Sequence, residues 1–240
     1  MQSYTCRQLK EDKFASSAQG AVHWAAEHRK NVTLAVSAVV IIALVVLGYF
    51  FWNNRQTDQA SVLLGKAEKT FSAQLRAPGI PSTPNDSSFS SFAERGKQAE
   101  KEFKAIADGF PHTKPGKIAR YMEAVAAVQA GETASGEKEL KAVVDSGDKD
   151  VAPFAKLALA SLYISSNRPG EAAKIYKDLS DHPSATVSKP FAQLKLAEMY
   201  ESSDPKQAAA LYQQIEKENP DTQVAQIARS KAGNSGNVPR

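Results

Sequence analysis

The sequence predicts an all-α protein, in which a single N-terminal transmembrane helix precedes an α-solenoid of antiparallel helix pairs. Three observations support this fold class. No charged side chain occurs between Lys30 and Arg55. Residues 92–232 contain no alternating run of Val, Ile or Thr that would require a β-sheet. Apolar positions in the same region recur every 36 or 37 residues, which indicates a repeat architecture.

Residues 31–54 form the predicted transmembrane helix. These 24 uncharged residues would span about 36 Å, more than the ~30 Å hydrocarbon core requires. A buried core helix would show one apolar stripe, whereas this segment is apolar on almost every side. A cleaved signal peptide has a shorter apolar region followed by small residues, whereas this one ends in the bulky sequence YFFW at residues 49–52. We therefore expect a retained membrane anchor.

Residues 1–30 form the predicted cytoplasmic tail. Basic residues flank both ends of the membrane segment almost equally, so the positive-inside rule only slightly favours a cytoplasmic N-terminus. The favoured topology leaves this tail inside and the larger domain outside. The single cysteine, Cys6, precedes the membrane segment, so no intramolecular disulfide is expected.

The rest of the chain divides by composition. Residues 55–91 contain a juxtamembrane helix, predicted from Asp58 to Ala77 as a continuation of the membrane helix, and a loop rich in Pro and Ser. Residues 92–232 form the predicted repeat domain, and residues 233–240 a disordered tail.

The repeats can be recognised directly from similar segments of the sequence. PFAKLALASLY, from Pro153, matches PFAQLKLAEMY, from Pro190. Both prolines suit the first turn of a helix, where no N–H is needed. An earlier copy, KIARYMEAVAA, keeps the same phase. Small residues recur in the first helices, at Ala124, Ala160 and Ala197. Apolar residues recur in the second helices, at Phe103, Leu140, Tyr176 and Tyr212. We expect both sets to lie at helix contacts.

At these positions the chain resembles the tetratricopeptide repeat family. The residues that match its pattern are Leu159, Ala160, Tyr163, Ala172, Tyr176 and Pro183 in one unit, and Leu196, Ala197, Tyr200, Ala208, Tyr212 and Pro220 in the next. The sequence departs from the pattern at Lys156 and Gln193, where a large aromatic residue is usual. The resemblance implies stacked helix pairs that bind protein partners.

The layout as a whole is similar to the YfgM-type ancillary subunits of the SecYEG translocon, which have a short charged tail, one membrane anchor and a helical repeat domain. This resemblance implies a location in the bacterial inner membrane, with a cytoplasmic N-terminus and a periplasmic repeat domain. It also implies protein partners at the translocon or in envelope biogenesis.

The sequence offers little catalytic chemistry. Its four histidines are far apart, without the spacing of a metal site. The segment GFPHTKPGK, residues 109–117, lacks the spacing of a phosphate-binding loop, and we interpret it as an interhelix turn. The net charge of +4 is small and basic residues alternate with acidic ones, which argues against nucleic-acid binding. We expect no enzyme activity, cofactor, metal or small-molecule substrate.

A partner-binding groove is expected along the concave side, which the first helices of each pair line. Its candidate residues are Ile118, Tyr121, Phe154, Leu157, Phe191 and Leu194. The alternative is that these side chains pack between helices.

Two functions remain open. The first is a membrane-anchored scaffold for protein partners at the extracytoplasmic face, ancillary to the translocon. The second is a periplasmic holdase or a recruiting factor for envelope biogenesis or cell division.

Overall fold

The computed structural model describes residues 28–77, 79 and 88–235. Cys6, His23 and most of the predicted tails and Pro/Ser-rich loop therefore lie outside the described residues. Within them every regular element is helical, which confirms the predicted all-α class. The chain divides into two units, Met1–Arg55 and Gln56–Arg240.

The first unit contains most of one long helix, α1 (Arg29–Phe71). Its most apolar 18-residue window has a mean hydropathy of 2.8, and none of that window is buried. Large apolar side chains from Leu34 to Trp52 are exposed around the helix. Among the described residues, α1 is the one helix that is long and apolar enough to cross a membrane.

The second unit is a series of antiparallel helices that follow the end of α1. Their bounds are α2 (Phe92–Gly109), α3 (Lys114–Gln129), α4 (Thr133–Asp145), α5 (Ala152–Ser165), α6 (Pro169–Asp181), α7 (Lys189–Ser203), α8 (Pro205–Glu218) and α9 (Gln223–Ser235). Each helix from α2 onward packs against the next, and α3 also contacts α5. This is the predicted solenoid, with α9 covering the last pair. Helix α9 includes residues 233–235, which the sequence assigned to the tail.

Local signals set the helix ends. Thr113 and Asp204 cap α3 and α8, because their side-chain oxygens accept hydrogen bonds from Gly116 N and Gln207 N, both at 3.1 Å. Asn167 has φ of 56°, so it lies in the left-handed region that ends α5. Prolines occupy the first turns of α5 and α7, as predicted.

The repeat phase predicted from the sequence is confirmed by burial. The four recurring apolar residues of the second helices are at most 5 % exposed, and the three recurring alanines of the first helices are fully buried. These residues fill successive hydrophobic clusters from α2 to α9. The core is therefore a row of contacts between neighbouring helices, as expected of a solenoid.

The C-terminal part of α1 begins this row. Ala60, Leu64 and Ala67 are buried in a cluster with Phe103 and other residues of α2 and α3. The helix ends at Phe71 and not at Ala77 as the sequence predicted. Beyond it the backbone pairs with residue 89 instead: Phe89 donates to Gln74 O at 3.1 Å and accepts from Arg76 N at 2.8 Å.

Two glycines allow unusually close helix contacts. A β-carbon at Gly96 would lie 2.5 Å from the backbone nitrogen of Ala130. One at Gly136 would lie 2.4 Å from Val128 Cγ2 and 2.9 Å from the carbonyl oxygen of Ala124. At both positions a larger residue would force two helix backbones apart.

Candidate functional site

An open cavity of about 380 Å³ lies between the first helices of two neighbouring pairs, and we call it the Phe154 cavity. Helix α3 contributes Ile118 and Tyr121, which are three residues apart and so lie on one helix face. The first turn of α5 contributes Phe154, and Val151 lies just before it. The lining is therefore mainly apolar, as in a site that accepts an apolar side chain.

The rings of Tyr121 and Phe154 form the centre of the cavity. Their centroids are 6.3 Å apart, with an angle of 39° between the ring planes. Phe154 is 41 % exposed, whereas Tyr121 is partly buried against the central core. Burial raises the pKa of the Tyr121 hydroxyl above its ordinary value.

Two ion pairs border the cavity and connect α3 with the loop before α5. Lys117 Nζ lies 2.8 Å from Asp148 Oδ2, and Lys114 Nζ lies 3.5 Å from Asp150 Oδ2. The hydrogen bond from Lys117 lowers the pKa of Asp148, whose other oxygen accepts from two backbone amides of the loop. The charges along this edge are paired, so the exposed apolar surface is the distinctive feature.

The structure brings together three of the six predicted groove residues. Ile118, Tyr121 and Phe154 all line the Phe154 cavity. The other three are buried to different degrees against the hydrophobic clusters. Leu157 and Phe191 are partly buried against the central cluster, and Leu194 is 4 % exposed within the C-terminal cluster.

Sequence reasoning missed the polar edge of this cavity. Lys114 and Lys117 precede Ile118 and Tyr121 at helical spacing, so their presence on the same face of α3 was available from the sequence. The acidic partners Asp148 and Asp150 come from a loop, and no periodicity predicts where a loop places its side chains. Thr186, from the loop before α7, was missed for the same reason.

Within the described part of the chain, no group of three or more His, Cys, Asp or Glu side chains could hold a metal ion. The two carboxylates that line the cavity, those of Asp148 and Asp150, each pair with a lysine. What the arrangement offers is an apolar surface for binding.

Residues 22–181 match the model of a family described as a tetratricopeptide repeat-like domain. The match covers more than half of the chain and ends at the last residue of α6. Helices α7 and α8 lie beyond it, although they repeat the buried positions of the preceding pair. A comparison with curated proteins gives no match.

Proposed function

The chain belongs to the tetratricopeptide repeat-like domain family, and from this premise we propose that it is a non-catalytic scaffold that binds protein partners at a membrane. Domains of this kind are generally interaction modules without catalysis. The observation that carries the proposal is the Phe154 cavity, in which two aromatic rings are accessible between stacked helices. Aromatic side chains in such positions commonly dominate the binding energy of an interface.

The proposed binding mode follows from the cavity's lining. A partner would insert an apolar side chain between Ile118 and Phe154, and Tyr121 would form the inner wall. The two lysine–aspartate pairs at the edge would remain in water and add little affinity. They would disfavour a partner that places an unmatched charge beside them. Insertion would remove the exposed Phe154 ring from water, which favours binding.

We propose that α1 anchors this scaffold in the membrane. The support is a window of mean hydropathy 2.8 whose side chains find no burial within the protein. Tyr49, Phe50, Phe51 and Trp52 follow at one end, as in an interfacial aromatic belt. Arg55 lies just beyond them, with its Cζ atom 4.9 Å from the Phe51 ring centroid, and suits the headgroup region.

The location that we propose is the bacterial inner membrane, with the N-terminus in the cytoplasm and the repeat domain in the periplasm, close to the SecYEG translocon. The resemblance to YfgM-type ancillary subunits supports this location. The competing function, a periplasmic holdase or recruiting factor, would use the same cavity for changing clients, so the two functions differ in the partners they predict.

A photocrosslinking experiment tests the scaffold. A benzoylphenylalanine at position 154 of the full chain, expressed in bacterial cells, should crosslink to one or two discrete partners that include translocon subunits. The matched control is the same amino acid at Phe92, which is 58 % exposed on α2 and far from the cavity along the chain. Crosslinking to a broad set of clients would favour the holdase function. Crosslinking at position 154 that is no stronger than at position 92 would show that partners do not bind at the cavity.

A reporter fusion tests the topology. Alkaline phosphatase fused after Arg240 should be active, because this enzyme requires an oxidising compartment to form its disulfides. A fluorescent cytoplasmic reporter at the same point should remain dark. The opposite pair of results would reverse the proposed orientation.

A further inference from the structure

A second groove, of about 650 Å³, lies among α6, α7 and α8. We call it the lysine groove, because Lys174 and Lys177 of α6 form one wall. Gln193 of α7 also lines it, and Gln207 and Gln214 of α8 form the opposite wall. None of these residues lines the Phe154 cavity.

The lysine groove carries uncompensated positive charge. Neither Lys174 nor Lys177 forms an ion pair with another described residue, although many other charges of the unit are paired. The third lysine of the groove, Lys189, lies 3.0 Å from Glu218. Among the described residues of the lining, Asp181 alone is acidic, against two unpaired lysines, so the groove has a net positive charge and attracts negative charge.

Gln193 adds an unsatisfied acceptor. The residue is 4 % exposed, and its Oε1 atom has no hydrogen-bond partner among the described residues. Such buried, unpaired oxygens are rare because they lose their bonds to water. The equivalent residue of the preceding pair, Lys156, donates a hydrogen bond to Asp178 at 2.5 Å and has no acceptor that needs a partner. Two other buried oxygens of the described residues, Glu102 Oε2 and Glu139 Oε2, also have no partner, but of the three only that of Gln193 belongs to a residue lining the lysine groove.

We propose that the lysine groove binds an extended acidic peptide segment of a partner protein. Its carboxylates would pair with Lys174 and Lys177, and one of its backbone N–H groups would donate to Gln193 Oε1 after a small rotation of that side chain. The side-chain amide of Gln207 offers a donor and an acceptor to the peptide backbone, and Gln214 offers its Oε1 acceptor while its Nε2 donates to Glu218 at 2.8 Å. Leu196 and Leu211 give the groove an apolar part for alternate side chains.

The dimensions fit such a segment. Helix α6 has 13 residues and is therefore about 20 Å long, a distance that about six residues of extended chain cover. The proposal goes beyond the scaffold function, since it concerns different helices and a different chemistry from the Phe154 cavity.

The direct test is fluorescence anisotropy with the full chain in a non-ionic detergent. The probe is a fluorescein-labelled peptide of about eight alternating Glu and Leu residues, and the control peptide has Gln in place of each Glu. The acidic probe should bind about tenfold or more tightly than the neutral one. Equal binding of the two peptides would overturn the proposal. So would tighter binding of a labelled oligothymidine, which would identify a general anion site.

Variants locate the site. Lys174→Gln combined with Lys177→Gln should weaken binding of the acidic probe about tenfold. The matched control is Lys101→Gln combined with Lys138→Gln, two exposed lysines without an ion pair among the described residues, which should change it less than about twofold. Equal effects of the two pairs would overturn the proposal.

Gln193→Leu separates the backbone contact from simple charge attraction. The variant should weaken binding severalfold while the melting temperature stays the same or rises, because an unpaired buried oxygen is removed. Unchanged affinity would overturn the role of Gln193.

Phe154→Ala should leave binding of the acidic probe unchanged. Failure of the lysine-groove proposal and failure of the scaffold function are therefore distinguishable.

Discussion

The guanidinium of Arg168 stacks on the ring of Tyr163, with its Cζ atom 4.2 Å from the ring centroid. The same group donates hydrogen bonds to both carboxylate oxygens of Glu137, at 2.7 and 3.2 Å. Arg168 lies between α5 and α6 and Glu137 lies on α4, so this contact ties two neighbouring pairs together. Hydrogen bonds from Arg168 and Lys141 lower the pKa of Glu137 to about 2.

Glu137→Gln should destabilise the protein in a pH-dependent manner. The folded pKa of about 2 is below the ordinary value of 4.5, so the carboxylate's contribution is complete above about pH 4.5 and declines as pH falls toward 2. We expect a loss on the order of 1 kcal/mol at neutral pH, measured by thermal melting of the full chain in detergent. The difference from wild type should shrink below pH 4.5.

Asp145→Asn is the control for this series, because Asp145 ends the same helix, is exposed and has no ion pair among the described residues. It should leave the melting temperature nearly unchanged. A Glu137→Gln effect that is constant from pH 7 to pH 2 would show that the charge of this carboxylate is not the cause.

Ala197→Trp should overpack the contact between α7 and α8. Ala197 is fully buried beside Tyr212 and Ile215, so an indole there would push the helices apart at a cost of ~1 to 3 kcal/mol. Circular dichroism melting of the full chain measures the loss, and Ala160→Trp should act similarly in α5. Ser202→Trp, at an exposed position of α7, is the control. Equal melting of Ala197→Trp and Ser202→Trp would contradict the packing.

Phe154 and Phe191 occupy equivalent places in successive pairs but should respond differently to truncation. Phe154→Ala should cost at most about 1 kcal/mol of stability, since its ring is 41 % exposed. Phe191→Ala should cost roughly 2 kcal/mol, since its ring packs against the central cluster. Melting curves of the two variants serve as controls for each other. Equal losses of stability would mean that the two rings contribute equally to the stability of the fold.

Ile42→Arg combined with Val45→Arg should release the protein from membranes. Each arginine near the middle of a spanning helix costs roughly 2.5 to 3.5 kcal/mol on insertion scales, and both positions are in the apolar window of α1. Carbonate extraction of cell membranes measures the release. Val62→Arg, in the same helix but beyond Arg55, should leave the protein in the pellet. Full extraction of the wild-type chain would contradict the anchor.

Periodicity made most of the solenoid predictable. The recurrence that placed Tyr176 and Tyr212 in the core also placed Leu140 and Phe103 there, and all four are buried. The first pair was harder to predict. Ala60 and Leu64 of α1 pack in the same cluster as Phe103 of α2, but the Pro/Ser-rich loop separates them along the chain and breaks the repeat spacing.

The site was only partly predictable, because equivalence in sequence does not guarantee equivalence in exposure. Phe191 has Lys195 Nζ 5.7 Å from its ring centroid and is partly buried against the core. Phe154 instead faces a cavity whose edge is formed by the loop that carries Asp148 and Asp150. Such differences come from loops and neighbouring pairs, which the repeat pattern does not encode.

The close contact at Gly136 limits which second helices could replace one another between the repeats. Gly136 is followed at intervals of 36 residues by Ala172 and Ala208, which occupy the same place in the later pairs. An alanine at position 136 would bring its β-carbon within 2.4 Å of Val128 Cγ2. A copy of α6 or α8 alone, with alanine at this position, therefore could not replace α4 unless Val128 and the nearby backbone of α3 moved. The units share the same helix arrangement, but their second helices are not interchangeable one by one.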